Sequence, residues 1–277
     1  MLKTGLARPL TSLTAAAVLV FISGCAAKLI KPVIPERLMA LQGSSVLPET
    51  NEELKTGAEH MCIPASSAKE KAFGFEMAVK LVENTNVMAV AYRNAALLLS
   101  QCAVMYADWT KDKTLKKEIV QVGMDAADIA GASLYDPTAS YYYALNLGVI
   151  INDTGLDAFK KISDLTKHLK RAAASVPQLD DGGPVRVLGM VYLKAPPWPL
   201  GPGDTEKALE LLRNVVKKYP MNPLNHLFLA EALIKDGDGK EADEELDIAE
   251  NLASNGKWGD YRDRWLNESE ALRKKIK

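Results

Sequence analysis

The sequence predicts an all-α protein, a solenoid of about eleven helices stacked as hairpins. Three observations carry that prediction. From Glu49 onward apolar residues recur at helical spacing, with no convincing run of alternating strand character. Turn signals break the pattern at short intervals: Asp136-Pro137, Asn152-Asp153-Thr154-Gly155, Asp181-Gly182-Gly183-Pro184 and Asp236-Gly237-Asp238-Gly239. One stretch also repeats itself, because Ala208, Leu212 and Val215 return as Ala242, Leu246 and Ala249, each 34 residues later.

The first element is a leader, over residues 1–24. Lys3 and Arg8 form a positive n-region, Leu10–Ile22 is apolar and uncharged, and no acidic residue occurs before Glu36. The apolar run falls short of the roughly 20 residues a spanning helix needs. It ends in Ile22-Ser23-Gly24-Cys25, which resembles the lipobox of bacterial lipoproteins. That resemblance implies cleavage before Cys25 and acylation of its sulfur, with more than one chain giving a stable anchor. Ala26 rather than an aspartate follows Cys25, which by resemblance to sorted lipoproteins implies the periplasmic face of the outer membrane. Residues 25–48 then read as a lipidated, extended linker, with Pro32, Pro35, Pro48 and Gly43-Ser44-Ser45.

Residues 49–277 read as the helical repeat domain. Expected helices are 49–60, 66–83, 86–108, 113–133, 137–151, 155–175, 184–194, 204–218, 223–236, 239–254 and 260–275. Repeats are clearest over 184–254. There the 34-residue period is that of a tetratricopeptide repeat, with Pro220 closing the unit. Leu188-Gly189 and Tyr192 recur as Leu229-Ala230 and Leu233, but 41 residues on, so seven extra residues stand between the two helices of one repeat. They fall in the run Ala195-Pro196-Pro197-Trp198-Pro199-Leu200-Gly201-Pro202-Gly203-Asp204, which no helix can cross. Asp204 is placed to cap the helix after it. The last segment, around the helix at 260–275, places Trp258, Tyr261, Trp265, Leu272 and Ile276 on one stripe, as a terminal cap would.

Gly182-Gly183-Pro184, Arg186, Leu188-Gly189, Tyr192, Ala195–Leu200, Gly203-Asp204 and the run Pro223, Asn225-His226, Leu229-Ala230-Glu231 together resemble the T-component lipoproteins associated with TRAP transporters. The likeness covers residues 137–250; before that only helical pattern and alanine content agree. It implies an all-helical, lipid-anchored periplasmic protein. Such a protein would act beside a TRAP substrate-binding protein in uptake of an organic ligand through a tripartite secondary transporter. The alternative reading is an outer-membrane tetratricopeptide lipoprotein that serves as an envelope assembly or interaction scaffold. Self-association stays open under either.

Composition and motifs point away from catalysis and nucleic acid. The formal charge of −1 becomes −3 once Lys3 and Arg8 are removed with the leader, the opposite of a nucleic-acid footprint. The three histidines stand at no metal-ligand spacing, and no nucleophile elbow or phosphate loop occurs. No enzyme activity, metal or cofactor is expected. Asp180-Asp181 reads as a pair of solvated turn acids. Cys62 and Cys102, 40 residues apart in a compartment that permits disulfides, are either bonded or two buried thiols.

Candidate ligand- or partner-binding residues sit on the first helices of the repeats. Arg186, Met190 and Lys194 share one face at i, i+4 and i+8, and Glu231 and Lys235 take the equivalent face of the next first helix. Arg186, Lys194 and Lys235 could converge on a carboxylate of a small amphipathic organic acid; alternatively Arg186 pairs internally with Asp181 or Asp204. Asn225 and His226 complete the candidates, with packing or capping as the competing role of His226. Trp198 is either a plug over the core or one wall of the ligand site.

Overall fold

The computed structural model describes residues 31–41, 46–151 and 158–276. The expected leader, Cys25, and the start of the helix expected at 155–175 lie outside them. Among the described residues twelve α-helices follow in order: α1 Glu36–Leu41, α2 Asn51–Met61, α3 Ala68–Asn84, α4 Val90–Trp109, α5 Lys113–Ala130, α6 Pro137–Ile151, α7 Ala158–Ser175, α8 Gly183–Lys194, α9 Thr205–Lys218, α10 Pro223–Asp236, α11 Gly239–Asn255 and α12 Tyr261–Arg273. A 3-10 turn occupies Ala132–Leu134, and no strand occurs among the described residues. The expected helices stand within a few residues of their places; α1 is the addition.

From α2 onward each helix packs on the next, giving the pairs α2/α3, α4/α5, α6/α7, α8/α9 and α10/α11, while α1 packs on α5. First helices of successive pairs also touch, α4 on α6, α8 on α10 and α10 on α12. This is a tetratricopeptide-like helical solenoid. Local chemistry sets the helix starts. Ser67 and Glu70 form a capping box on α3, and the side chains of Asp112, Asp204, Asn222 and Asp238 cap α5, α9, α10 and α11. Asp204 Oδ1 accepts from the Lys207 amide at 3.0 Å, in the role its position suggested.

Small residues bring the repeat helices together. Ala208, Ala230 and Ala242 are fully buried, and a Cβ on Gly189 would meet Leu212 Cγ at 2.9 Å. Ala208→Leu and Ala242→Leu should therefore each overpack a helix contact and cost about 1–3 kcal/mol. Thermal denaturation of both variants checks this, and unchanged midpoints would mean the repeat register is misassigned.

The segment expected as an extended linker is not extended throughout. Residues 36–41 form α1, with Leu38 only 3 % exposed in the N-terminal core and Ile34 and Leu47 packed against it. Arg37 Nη2 meets Asp112 Oδ2 at 2.5 Å, and Lys31 Nζ donates to the Glu83 carbonyl at 2.5 Å. Apolar side chains between the prolines found a surface to bury, which a spacer reading leaves out. Nearby, Cys62 and Cys102 are joined by a disulfide that ties the end of α2 to the middle of α4.

The insertion is a loop over residues 195–204, where α10 and α11 are separated by residues 237–238 alone. Its base is held by the Asp204 amide donating to the Tyr192 carbonyl at 2.8 Å and the Gly203 amide to the Pro196 carbonyl at 2.9 Å. Its tip projects outward. Trp198 is 86 % exposed, so it plugs no core.

The last helix does more than cover the end of the stack. The Ala68 amide donates to Asp260 Oδ2 at 2.8 Å, and the Tyr261 hydroxyl and Arg264 Nη1 each donate to Asp108 Oδ2 at 2.7 Å. The Trp109 and Tyr261 rings meet edge-on at 5.0 Å. Lys71, fully buried, donates to the Ser66 carbonyl and lies 5.0 Å from the Tyr261 ring centroid. Burial depresses its pKa, while Asp260 and Asp108 pull it back up. The chain thus returns α12 to α3 and α4.

Candidate binding cavity on the concave face

With α12 docked on α4, the first helices of the pairs face a common hollow. A cavity of about 560 Å³ is lined from α4, α6, α8, α10 and α12, together with the turn before α8. Its size suits a small organic ligand. Val104, Leu145, Val187 and Leu224 give aliphatic wall, and aromatic rings come from several helices. Trp258 and Trp265 pack with ring centroids 5.3 Å apart, and Tyr261 stacks on Trp265 at 5.4 Å.

One polar end of the cavity is the turn into α8. Asp180, Asp181 and Gly182 take φ of 52, 49 and 89, three consecutive left-handed residues. That costs little for glycine and is more tolerable for aspartate than for most residues. Arg186, 2 % exposed, holds the turn in place. Its Nη2 donates to Asp180 Oδ2 at 2.8 Å and its Nη1 to the Asp180 carbonyl at 3.2 Å and to Asn225 Oδ1 at 2.7 Å. Asn225 Nδ2 in turn donates to the Asp181 carbonyl at 3.1 Å and the Tyr219 carbonyl at 2.8 Å. The Tyr141 hydroxyl donates to Asp180 Oδ2 at 2.8 Å, and burial next to that carboxylate holds its pKa well above the usual phenol value. Asp180 and Asp181 are exposed turn acids, as expected, but Asp180 also has a buried cationic partner in Arg186, six residues on.

The three cations expected to converge do not. Arg186 lines the cavity, but its charge is matched by Asp180. Lys194 pairs with Glu231 at 2.8 Å, and Lys235 donates to the Leu193 carbonyl. The reason is geometric: Arg186 and Lys194 share a helical face but lie about 12 Å apart along the axis at roughly 1.5 Å per residue. Met190 packs half-buried against the C-terminal core. His226 uses both ring nitrogens internally, Nδ1 with Glu245 Oε2 at 2.6 Å and Nε2 with the Pro220 carbonyl at 2.8 Å.

Trp198 belongs elsewhere, since the insertion leaves from the far end of α8. Pro199, Leu200, Gly201 and Pro202 instead form one side of a shallow outer depression, with Ile162, Thr166, Lys167 and Lys170 of α7 opposite. Among the described residues no group of three or more His, Cys, Asp or Glu side chains is placed to hold a metal. Residues the sequence did not single out include Asp108, Tyr141, Tyr261 and Trp265. Only the aromatic stripe of the last helix hinted at any of them.

Stacked helix pairs around a concave face define a helical-repeat scaffold. Residues 200–255, from the insertion through α11, match the tetratricopeptide repeat family. The protein is thus tetratricopeptide-like, in a class whose concave surfaces serve protein–protein interaction. No curated protein matches the chain.

Proposed function

We propose that this protein is a lipid-anchored scaffold on the periplasmic side of the envelope, at the outer membrane, that works beside the substrate-binding protein of a TRAP-type uptake system. Binding, not catalysis, is its task. The observation that carries the reading is the open cavity lined by α4, α6, α8, α10 and α12, which gives the repeat a place for a small amphipathic ligand in addition to outer surfaces for a partner. The lipobox-like Ile22-Ser23-Gly24-Cys25 supports anchoring, and the motif between Gly182 and Glu231 supports the uptake system. The outer lip at Trp198 and Leu200, 86 % and 64 % exposed, supplies an apolar docking point of the kind that interfaces favour.

Two measurements test this. Cys25→Ser should shift the protein from the membrane to the soluble fraction or leave it unprocessed; unchanged fractionation would end the anchoring claim. Affinity capture from solubilised membranes should recover a periplasmic binding protein, and Trp198→Ala should cut that recovery several-fold with helix content unchanged. Recovery of envelope assembly components instead would replace the transport reading with that of an assembly scaffold.

A further inference from the structure

The charges of the cavity do not suit a free carboxylate. Its lining holds three carboxylates, Asp108, Asp180 and Asp181, against one guanidinium, Arg186. Asp108 is matched by Arg264 and Asp180 by Arg186. Asp181, which is exposed to solvent, is left over. Its carboxylate accepts only from Asn222 Nδ2, at 3.3 Å, and forms no ion pair among the described residues. An anion entering here would meet uncompensated like charge, which costs affinity. A cation would be drawn to it.

The walls point the same way. Tyr141, Phe228, Trp258, Tyr261 and Trp265 all line the cavity, and aromatic faces beside a carboxylate are the usual surroundings of an organic ammonium group.

We propose that the cavity binds an organic cation: a molecule with an apolar body and a substituted ammonium head set against Asp181 and the aromatic rings. This rests on the reading of the cavity as a ligand compartment and replaces the organic acid expected from the sequence with a cation. Asp180 and Arg186 are positioning residues; they fix the left-handed turn that presents Asp181.

Calorimetric titration of the full chain with hexanoylcholine and with hexanoate, which share one tail, tests the assignment. Hexanoylcholine should bind at least about tenfold more tightly than hexanoate. Asp181→Asn, a change that keeps a residue tolerant of the left-handed turn, should weaken hexanoylcholine binding about tenfold, and Asp181→Glu should retain most of it. Hexanoate binding as tightly or more tightly, or an Asp181→Asn variant with wild-type affinity, would overturn the cation assignment and leave the compartment standing. Binding of neither compound would overturn both.

Discussion

Replacing both Cys62 and Cys102 with alanine should lower stability by about 4 kcal/mol and the thermal midpoint by about 8–16 °C. The bond spans 40 residues, and a closed loop of that length removes this much entropy from the unfolded chain in the simple cross-link account. Its position adds to the effect. In a solenoid each hairpin is held by its neighbours, so the first pair lacks a hairpin before it. The disulfide fastens α2 to α4 across α3, and Gln101 Nε2 donating to the Cys62 carbonyl at 3.2 Å supports the same joint. Both sulfurs are fully buried, so the double substitution tests the bond more directly than a reductant, which must first reach it. Hydrogen exchange should show the loss first in α2 and α3. A midpoint shift under about 2 °C would mean that packing alone secures the N-terminal end.

The parts of the fold that were legible in the sequence are those set by local periodicity. Ala208, Leu212 and Val215 announce a buried helix face by spacing alone, and their return at Ala242, Leu246 and Ala249 announces its partner. Asp204 could be read as a cap because capping needs only the next turn of chain. The closure of the stack could not be read this way. Asp260 meets the Ala68 amide 192 residues away, and Tyr261 meets Asp108 across 153; no local pattern marks such pairs. Lys71 illustrates the limit. A lysine in the first turns of an amphipathic helix reads as solvated, yet the returning α12 buries it completely among carbonyls and rings.

The candidate site was legible in its pieces but not in its assembly. Arg186 and Asn225 were singled out; Arg186 lines the polar end of the cavity and Asn225 holds it there, and what failed was the assumption that residues on one helical face act together. Lys194 and Lys235 sit near the other ends of α8 and α10, where Glu231 and the Leu193 carbonyl meet them. Asp180 looked idle because its partner lies around a left-handed turn, a conformation that the Asp-Asp-Gly sequence permits without announcing. Trp198 drew notice as a large apolar side chain among prolines, but whether such a loop folds inward or projects depends on what the core has left uncovered.

Arg186→Ala should cost about 3 kcal/mol, lowering the thermal midpoint by about 6–12 °C. The substitution leaves Asn225 Oδ1 without its donor in a fully buried site and releases the carbonyl of Asp180. Removing one partner of a buried pair costs about 3–5 kcal/mol, and the lower end applies because Asp180 keeps 37 % of its side-chain surface in contact with solvent. The left-handed turn at Asp180 and Asp181 then loses the side chain that held it, so the strain of that turn adds to the loss. Arg186→Lys separates charge from geometry. An ammonium can still pair with Asp180, but it cannot span Asp180 and Asn225 as the guanidinium fork does, so the lysine variant should fall between wild type and alanine. Its ligand affinity should drop as well, because Asp181 is presented by the turn that the fork fixes. A lysine variant with wild-type stability would show that charge alone suffices there. Wild-type stability in the alanine variant would show that Asn225 and Tyr141 hold the turn without the arginine.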